Sequence, residues 1–164
     1  MTRTPEAAGS RLVMRETCVA QVRAWQADGR VVVFTNGVFD LLHVGHVRYL
    51  TAARKEGDCL VVAVNTDETV RASKGPGRPV HPADERAELV AALKVVDLVT
   101  LFPEPTPADI IAAVQPDVLV KGADWPLEQI SGRETVLARG GRVVRVPTEA
   151  GHSTTGLIAR VRSD

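Results

Sequence analysis

Two imidazoles three residues apart, in His43-Val44-Gly45-His46, are the side chains of this sequence best suited to chemistry. On a helix that spacing is one turn, so both rings share a face. A neutral imidazole donates through one nitrogen and accepts through the other, which suits the oxygens of a phosphate. Gly37 and Gly45 flank the pair and let an anion approach the backbone with no Cβ in the way. The plainer alternative is that His43 caps or packs beside the helix and His46 lies on its surface. Three further groups carry polar side chains of the same sort. Lys74 precedes Gly75-Pro76-Gly77-Arg78-Pro79, Lys121-Gly122-Ala123-Asp124-Trp125 forms a second cluster, and Gly151-His152-Ser153-Thr154-Thr155 a third. Each also has an ordinary structural explanation. Lys74 could be a solvated lysine, Asp124 a cap before Pro126, Trp125 a lid over the core, and the Ser-Thr run a plain helix N-cap.

The elements that must position these groups follow from hydrophobic pattern. Val31-Val32-Val33-Phe34 is an unbroken apolar run, as expected of a strand buried on both faces. Thr35-Asn36-Gly37 breaks it, and from Val44 apolar residues recur at helical spacing through Val47, Leu50 and Ala53. Strand, glycine loop and helix entrance together make an anion site, because the first helical N–H groups lack internal partners and the dipole favours negative charge. Before this unit, the spacing predicts a helix from about Leu12 to Ala27 that stops at Gly29, with Trp25 in a packing role. After it, Leu60–Val64, Leu98–Leu101, Val118–Val120 and Val143–Val146 read as strands. Helices are expected from a Thr66 cap to about Ala72, over Pro82–Lys94 with Leu89 and Leu93 inward, Pro107–Val114, Gly132–Arg139 and Thr154–Val161. Alternating strands and helices imply parallel pairing through right-handed crossovers, hence a doubly wound three-layer α/β sandwich on a five-stranded parallel sheet. In such sheets ligands sit at the carboxyl ends of the strands, where strand order reverses. Thr35–His46, Asn65–Lys74, Lys121–Trp125 and Thr148–Thr155 all follow strands. That convergence is more specific than any one motif.

Bulk properties narrow the classes. A chain of 164 residues fits one domain, expected over residues 11–164 behind a polar, disordered Met1–Ser10. Twenty basic and twenty acidic side chains leave no net charge, against non-specific nucleic-acid binding. No apolar run approaches the ~20 residues needed to span a bilayer. Cys18 and Cys59 are isolated, so a reducing cytoplasm is the expected setting. There is no GxxxxGK[ST] and no third glycine in register with Gly75-Pro76-Gly77, which removes P-loop and dinucleotide readings. HExxH is missing, and zinc held by His43, His46 and His152 is a minor alternative with no Cys or carboxylate cluster to complete it.

FTNGVFDLLHVGH resembles the opening signature of the nucleotidyltransferases with an HxGH motif, which include cytidylyltransferases and many adenylyltransferases. The likeness extends from Val31 to Arg162. KGPGRPVHP, ADERAELVAAL, VDLVTLFPEPTPADIIAAVQPDVLVKGADW and ISGRETVLARGGRVVRV together resemble the adenylyltransferase domain that acts on D-glycero-β-D-manno-heptose 1-phosphate. The resemblance implies a Rossmann-like fold and transfer of AMP from ATP to the sugar phosphate, giving ADP-heptose and pyrophosphate, with Mg²⁺ accompanying ATP. It implies that His43, His46 and Lys74 are catalytic. Thr35, Asn36, Gly37, Phe39, Asp40, Gly45, Arg86, Lys121, Gly122, Asp124, Trp125, Ser153, Thr154 and Thr155 would bind the nucleotide, and Asn65, Asp67 and Arg78 the sugar phosphate. Arg86 has a plainer alternative as a surface arginine paired with Asp84 or Glu85, and Asp40 could instead hold its loop through a basic partner. No protein metal ligand is assigned. The family also implies a homodimer, and the sugar kinase fused to many relatives would here be a separate protein. No nucleic-acid or membrane partner is expected.

Two competing functions stay open at this point. Cytidylyltransferases for glycerol 3-phosphate or a similar alcohol phosphate resemble this chain too, but usually read RTxGISTT near the end. Here Thr148-Glu149-Ala150-Gly151-His152-Ser153-Thr154-Thr155 lacks that arginine. Another nucleotide or heptose isomer fits equally well. A nucleotide-sensing module on the same fold would keep binding without turnover.

Overall fold

The computed structural model describes residues 11–148 and 150–163, so the expectation of a disordered Met1–Ser10 lies outside the described residues. Along the chain run α1 (Arg15–Ala27), β1 (Val32–Gly37), α2 (Val44–Arg54), β2 (Cys59–Asn65), α3 (Asp67–Lys74) and α4 (Ala83–Ala91). There follow β3 (Leu98–Phe102), α5 (Ala108–Val114), β4 (Val118–Gly122), a 3₁₀ turn at Leu127–Gln129, α6 (Arg133–Ala138), β5 (Arg142–Val146) and α7 (Thr154–Arg162). The five strands form one sheet in the order β3-β2-β1-β4-β5, and every pairing is parallel. The fold is the expected Rossmann-like doubly wound α/β sandwich.

Alternate residues of the same strands feed two separate cores. Val33, Leu60, Val62, Val64, Val118 and Val120 pack on one face with Leu50 and Ala53 of α2 and Ala87, Val90 and Ala91 of α4. Val32, Phe34, Val61, Ala63 and Leu119 pack on the other with Cys18 and Val22 of α1, Ile110, Ile111 and Val114 of α5 and Val136 of α6. This is why the strands read as continuous apolar runs rather than alternating ones. Both cysteines are free and buried. Burial pushes the Cys18 thiol up to about 12.

The structure departs from the sequence-based elements in four places. Helix α1 begins at Arg15, not Leu12, because Leu12 bridges Val99 and the Val13 N–H donates to the Val99 carbonyl at 2.9 Å, lengthening the β3 edge. Thr66 precedes α3 without capping it through its side chain, and its Oγ1 is buried without a partner. Helix α4 is shorter than Pro82–Lys94, and Leu89 is 43% exposed while Arg86 turns inward in its place. Lys74 is the last residue of α3 rather than part of the following loop, and Gly75 leaves the helix at φ +87°.

The sheet is weakest at one seam. Strand β1 pairs with β2 over six residues, but with β4 only at Val33–Val118 and Phe34–Leu119. Beyond Phe34 the two strands part, and this is where strand order reverses. The opening lies at the carboxyl ends of both strands, as expected for a ligand crevice.

Candidate active site

Tyr49 of α2 fills the bottom of that opening. Its hydroxyl donates to the Val120 carbonyl on β4 at 3.3 Å and lies 2.8 Å from Thr35 Oγ1 on β1. Burial raises the Tyr49 pKa to about 12, so the bridge is neutral. Thr35 is fully buried beneath the site and acts through Tyr49 rather than facing a ligand. Tyr49 stands one helical turn beyond His46, so its face was legible from the motif spacing.

Above Tyr49 lies a cleft of about 440 Å³. The loop after β1 and the start of α2 contribute Asn36, Gly37, Phe39, Asp40, His43, Gly45 and His46. The end of β4 adds Lys121, Gly122, Asp124 and Trp125, and the entrance to α7 adds Ser153, Thr154 and Thr155. Lys74 and Arg78 close the side beyond β2. Val38, Thr148 and His152 also line it, outside the set proposed for binding from sequence.

The two motif histidines are stacked, with ring centroids 3.8 Å apart and planes 23° from parallel. The His43 backbone N–H donates to His46 Nδ1 at 3.4 Å. With Nδ1 accepting, the neutral His46 ring carries its proton on Nε2. Burial first, and the neighbouring His43 second, lower the His46 pKa to about 4, so the ring is a neutral donor at physiological pH. His43 is also shifted down, by burial and then by His152, and its Nδ1 is buried without a partner. His43 is the N-cap of α2 and His46 its capping-box partner, so the plainer reading holds for His43 as a cap, while His46 is part-buried rather than on the surface. Zinc fails: the rings lie face to face, and among the described residues no group of three or more His, Cys, Asp or Glu could hold a metal ion.

Local backbone explains why the loop has this sequence. Phe39 adopts φ +49°, a left-handed conformation that a bulky residue holds only under constraint. Its buried ring meets His46 edge-on with centroids 5.2 Å apart, and a Cβ at Gly37 would stand 2.9 Å from that ring. At Gly45 a Cβ would sit 2.9 Å from the His43 ring and 3.0 Å from His152 Cβ. Both glycines are required by neighbouring rings.

Several residues expected to touch a ligand are committed elsewhere. Arg86 is fully buried. It donates to the carbonyls of His81 (2.9 Å), Val38 (2.6 Å) and Asn65 (2.8 Å) and to Asp67 Oδ1 (2.8 Å). It neither faces phosphate nor pairs with Asp84 or Glu85; it bolts the loop after β1 to the end of β2. Asn65 and Asp67 are its partners, and none of the three lines the cleft. Asp40 borders the cleft, but its carboxylate accepts from Arg78 Nε (2.7 Å) and from the Val80 and His81 N–H groups (2.8 and 3.1 Å). Burial alone would raise its pKa; those three donors outweigh burial and hold it below the usual range. Asp40 thus fixes the loop that carries Arg78.

On the far side, Lys121 Nζ stands 6.0 Å from the centroid of the half-exposed Trp125 ring. Burial lowers the Lys121 pKa to about 8, with Asp124 opposing. A Cβ at Gly122 would collide with Asp124 Oδ1, so this glycine admits the carboxylate. At α7, Ser153 Oγ accepts from the Gly156 N–H at 3.0 Å, which leaves Thr154 and Thr155 beside the first turn.

The cytidylyltransferase-like family model matches residues 34–160, spanning β1 to α7. The chain belongs to the cytidylyltransferase-like family. It is a nucleotidyltransferase of that family, 54% identical over 157 residues to the bifunctional protein HldE of Halorhodospira halophila and 51% identical over 152 residues to that of Azorhizobium caulinodans. Those alignments cover 96% and 93% of this chain, which spans about a third of each relative's length (33% and 32%). A solved neighbour, the lipopolysaccharide core biosynthesis protein from Thermoplasma volcanium GSS1, has a TM-score of 0.64 and 32% identity, the match covering 73% of this chain and 98% of its own. No helix among the described residues is long and apolar enough to cross a membrane.

Proposed function

We propose that the chain transfers AMP from ATP to D-glycero-β-D-manno-heptose 1-phosphate, releasing pyrophosphate. The observation that carries this is the single cleft at the β1–β4 seam, where neutral His46, the α7 entrance and Lys121 face one another. The resemblance to heptose 1-phosphate adenylyltransferase domains and the HldE relatives support the choice of acceptor. A phosphate oxygen of the sugar attacks the α-phosphorus in line. The bond from that phosphorus to its bridging oxygen breaks, and the electron pair leaves on pyrophosphate. No covalent enzyme intermediate is needed, so positioning and electrostatics carry the rate.

Each part of the cleft then has a task. His46 donates from Nε2 to an oxygen whose negative charge grows in the transition state. His43, the N-cap of α2, lines the cleft with its Nδ1 turned over the helix's first turn beside Gly45. The first amides of α2 and α7 and the hydroxyls of Ser153, Thr154 and Thr155 receive the triphosphate. Lys121, Asp124 and Trp125 border the nucleoside, while Lys74 and Arg78 take the acceptor's phosphate. The donor set fits a Mg²⁺ that arrives on the triphosphate: Asp40 is occupied by Arg78, which leaves Asp124 as the cleft's available carboxylate. Such an ion keeps several waters and neutralises phosphate charge. The sugar 1-phosphate would come from a separate phosphorylation step.

Pyrophosphate release measured with ATP, CTP and GTP against heptose 1-phosphate tests the reading, and ATP is expected to dominate. Preference for CTP with glycerol 3-phosphate would overturn it in favour of the alternative that the family description suggests.

A further inference from the structure

His152 has no assigned role, yet it stands where the entrances of two helices meet. It immediately precedes Ser153, which caps the nine-residue α7. Its Cβ lies beside Gly45 in the first turn of α2, so close that a Cβ on that glycine would be 3.0 Å away. Its ring runs within 25° of parallel to His43, with centroids 6.4 Å apart. Three imidazoles therefore step outward, from His46 against Phe39, through His43, to an exposed His152 that still lines the cleft.

We propose that His152 is a third phosphate-facing imidazole, which grips the diphosphate tail of the nucleotide and the departing pyrophosphate rather than the reacting phosphorus. The inference rests on the nucleotidyl-transfer reading of this cleft and assigns a tail-specific residue within it. Two helix N-termini converge on His152, and both favour anions. The tail gains the negative charge released when the bond to the α-phosphorus breaks. An exposed imidazole there can donate a hydrogen bond to the tail's oxygens, as the more deeply placed His46 does further in. The other titratable or charged groups facing this space are the neutral His43 and His46 on α2, Lys121 with Asp124 after β4, and Lys74 with the Arg78–Asp40 pair across the cleft.

Calorimetric titration of wild type, His152→Ala and His152→Gln with Mg·ATP, Mg·pyrophosphate and AMP separates the possibilities. His152→Ala is expected to weaken ATP and pyrophosphate roughly five- to tenfold while AMP stays within about twofold. His152→Gln, which keeps a hydrogen-bond donor, should recover part of the lost ATP and pyrophosphate affinity, a rescue that a merely structural role for the ring would not give. Equal loss for AMP, or no loss for pyrophosphate, would overturn the proposal and leave the nucleotidyl-transfer reading intact. A wild-type protein that bound none of the three would sink that reading, and this proposal with it.

Discussion

The two ends of the sheet treat their polar groups in opposite ways. At the amino ends, three aspartates close the strands on themselves. Asp58, Asp97 and Asp117 each accept, through Oδ2 at 2.8 Å, from the N–H of Val31, Leu60 and Val32. The same three residues return the bond, their own N–H groups donating to the carbonyls of Val31, Leu60 and Val32 at 2.8 to 3.0 Å. At the carboxyl ends, Asn36 Oδ1 and His43 Nδ1 are buried without partners, and Phe39 is held at positive φ. Buried polar groups are normally satisfied, and leaving one open costs roughly 1–3 kcal/mol. One end stabilises the fold; the other holds donors, acceptors and strain ready for a ligand. The seam between β1 and β4 runs through both, closed by Asp117 below and opened around Tyr49 above.

Arg86 is the sharpest test, because it lies at the working end but behaves like the quiet one. Arg86→Ala removes a fully buried guanidinium and strands Asp67 and three carbonyls. We expect a loss of roughly 3–5 kcal/mol of stability in denaturant titration, with nucleotide affinity of the remaining folded protein little changed. A variant of native stability that failed only in phosphate binding would return Arg86 to the cleft. Next in size, His46→Ala should lower turnover roughly 10²- to 10³-fold, about 2.7–4 kcal/mol of transition-state stabilisation, while nucleotide binding barely moves. Equal losses in turnover and binding would contradict a transition-state role.

These two residues also mark how far the sequence could be read. The parallel five-stranded sheet, its layers and the cleft's position followed from apolar runs and their spacing, since burial on both faces leaves an unmistakable pattern in Val32–Phe34 and Leu60–Val64; the strand order came only from the structure. The histidine motif, the Lys121 segment and the Ser153 cap were found because a strand end or helix start dictates where their side chains emerge. Arg86 was assigned to phosphate through the resemblance to relatives, which matches a position in the sequence but not its burial. Asn65 and Asp67 failed with it, as their partner lies 19 to 21 positions away and no local pattern records the pairing. Leu89 failed through helix phase: with Arg86 inward, the buried stripe is Ala87, Val90 and Ala91. His152 and Thr148 lay within segments read from sequence as following a strand, but were given no binding role; His152 reaches the cleft beside Gly45 of α2 and Thr148 beside Gly122 of β4.

At the quiet end, Asp117→Ala deletes the acceptor for the Val32 N–H and for Gln26 Nε2, which donates to it at 3.2 Å. The expected cost is about 1–2 kcal/mol in stability, with KM for nucleotide unchanged. A change in KM without loss of stability would mean the two ends are coupled along the seam, and the contrast drawn above would fail.

The smallest expected effect comes from Lys121 and runs with pH. Burial lowers its pKa to about 8, so in the empty cleft it is charged below that pH and neutral above it. Phosphate favours the charged form, so nucleotide affinity should be greatest below about pH 8 and fall as pH rises through it. For a partly solvated contact this amounts to up to about 1 kcal/mol, a few-fold in Kd. Nucleotide binding should in turn release the shift, taking up protons near pH 8 in a way that varies with the ionisation heat of the buffer. Lys121→Arg, charged throughout, should flatten the profile and abolish that proton uptake, whereas His152→Gln should leave this alkaline limb in place. Were His152→Gln to remove that limb as well, the two sides of the cleft would be acting as one group, and the separation of nucleoside side from phosphate tail would have to be redrawn.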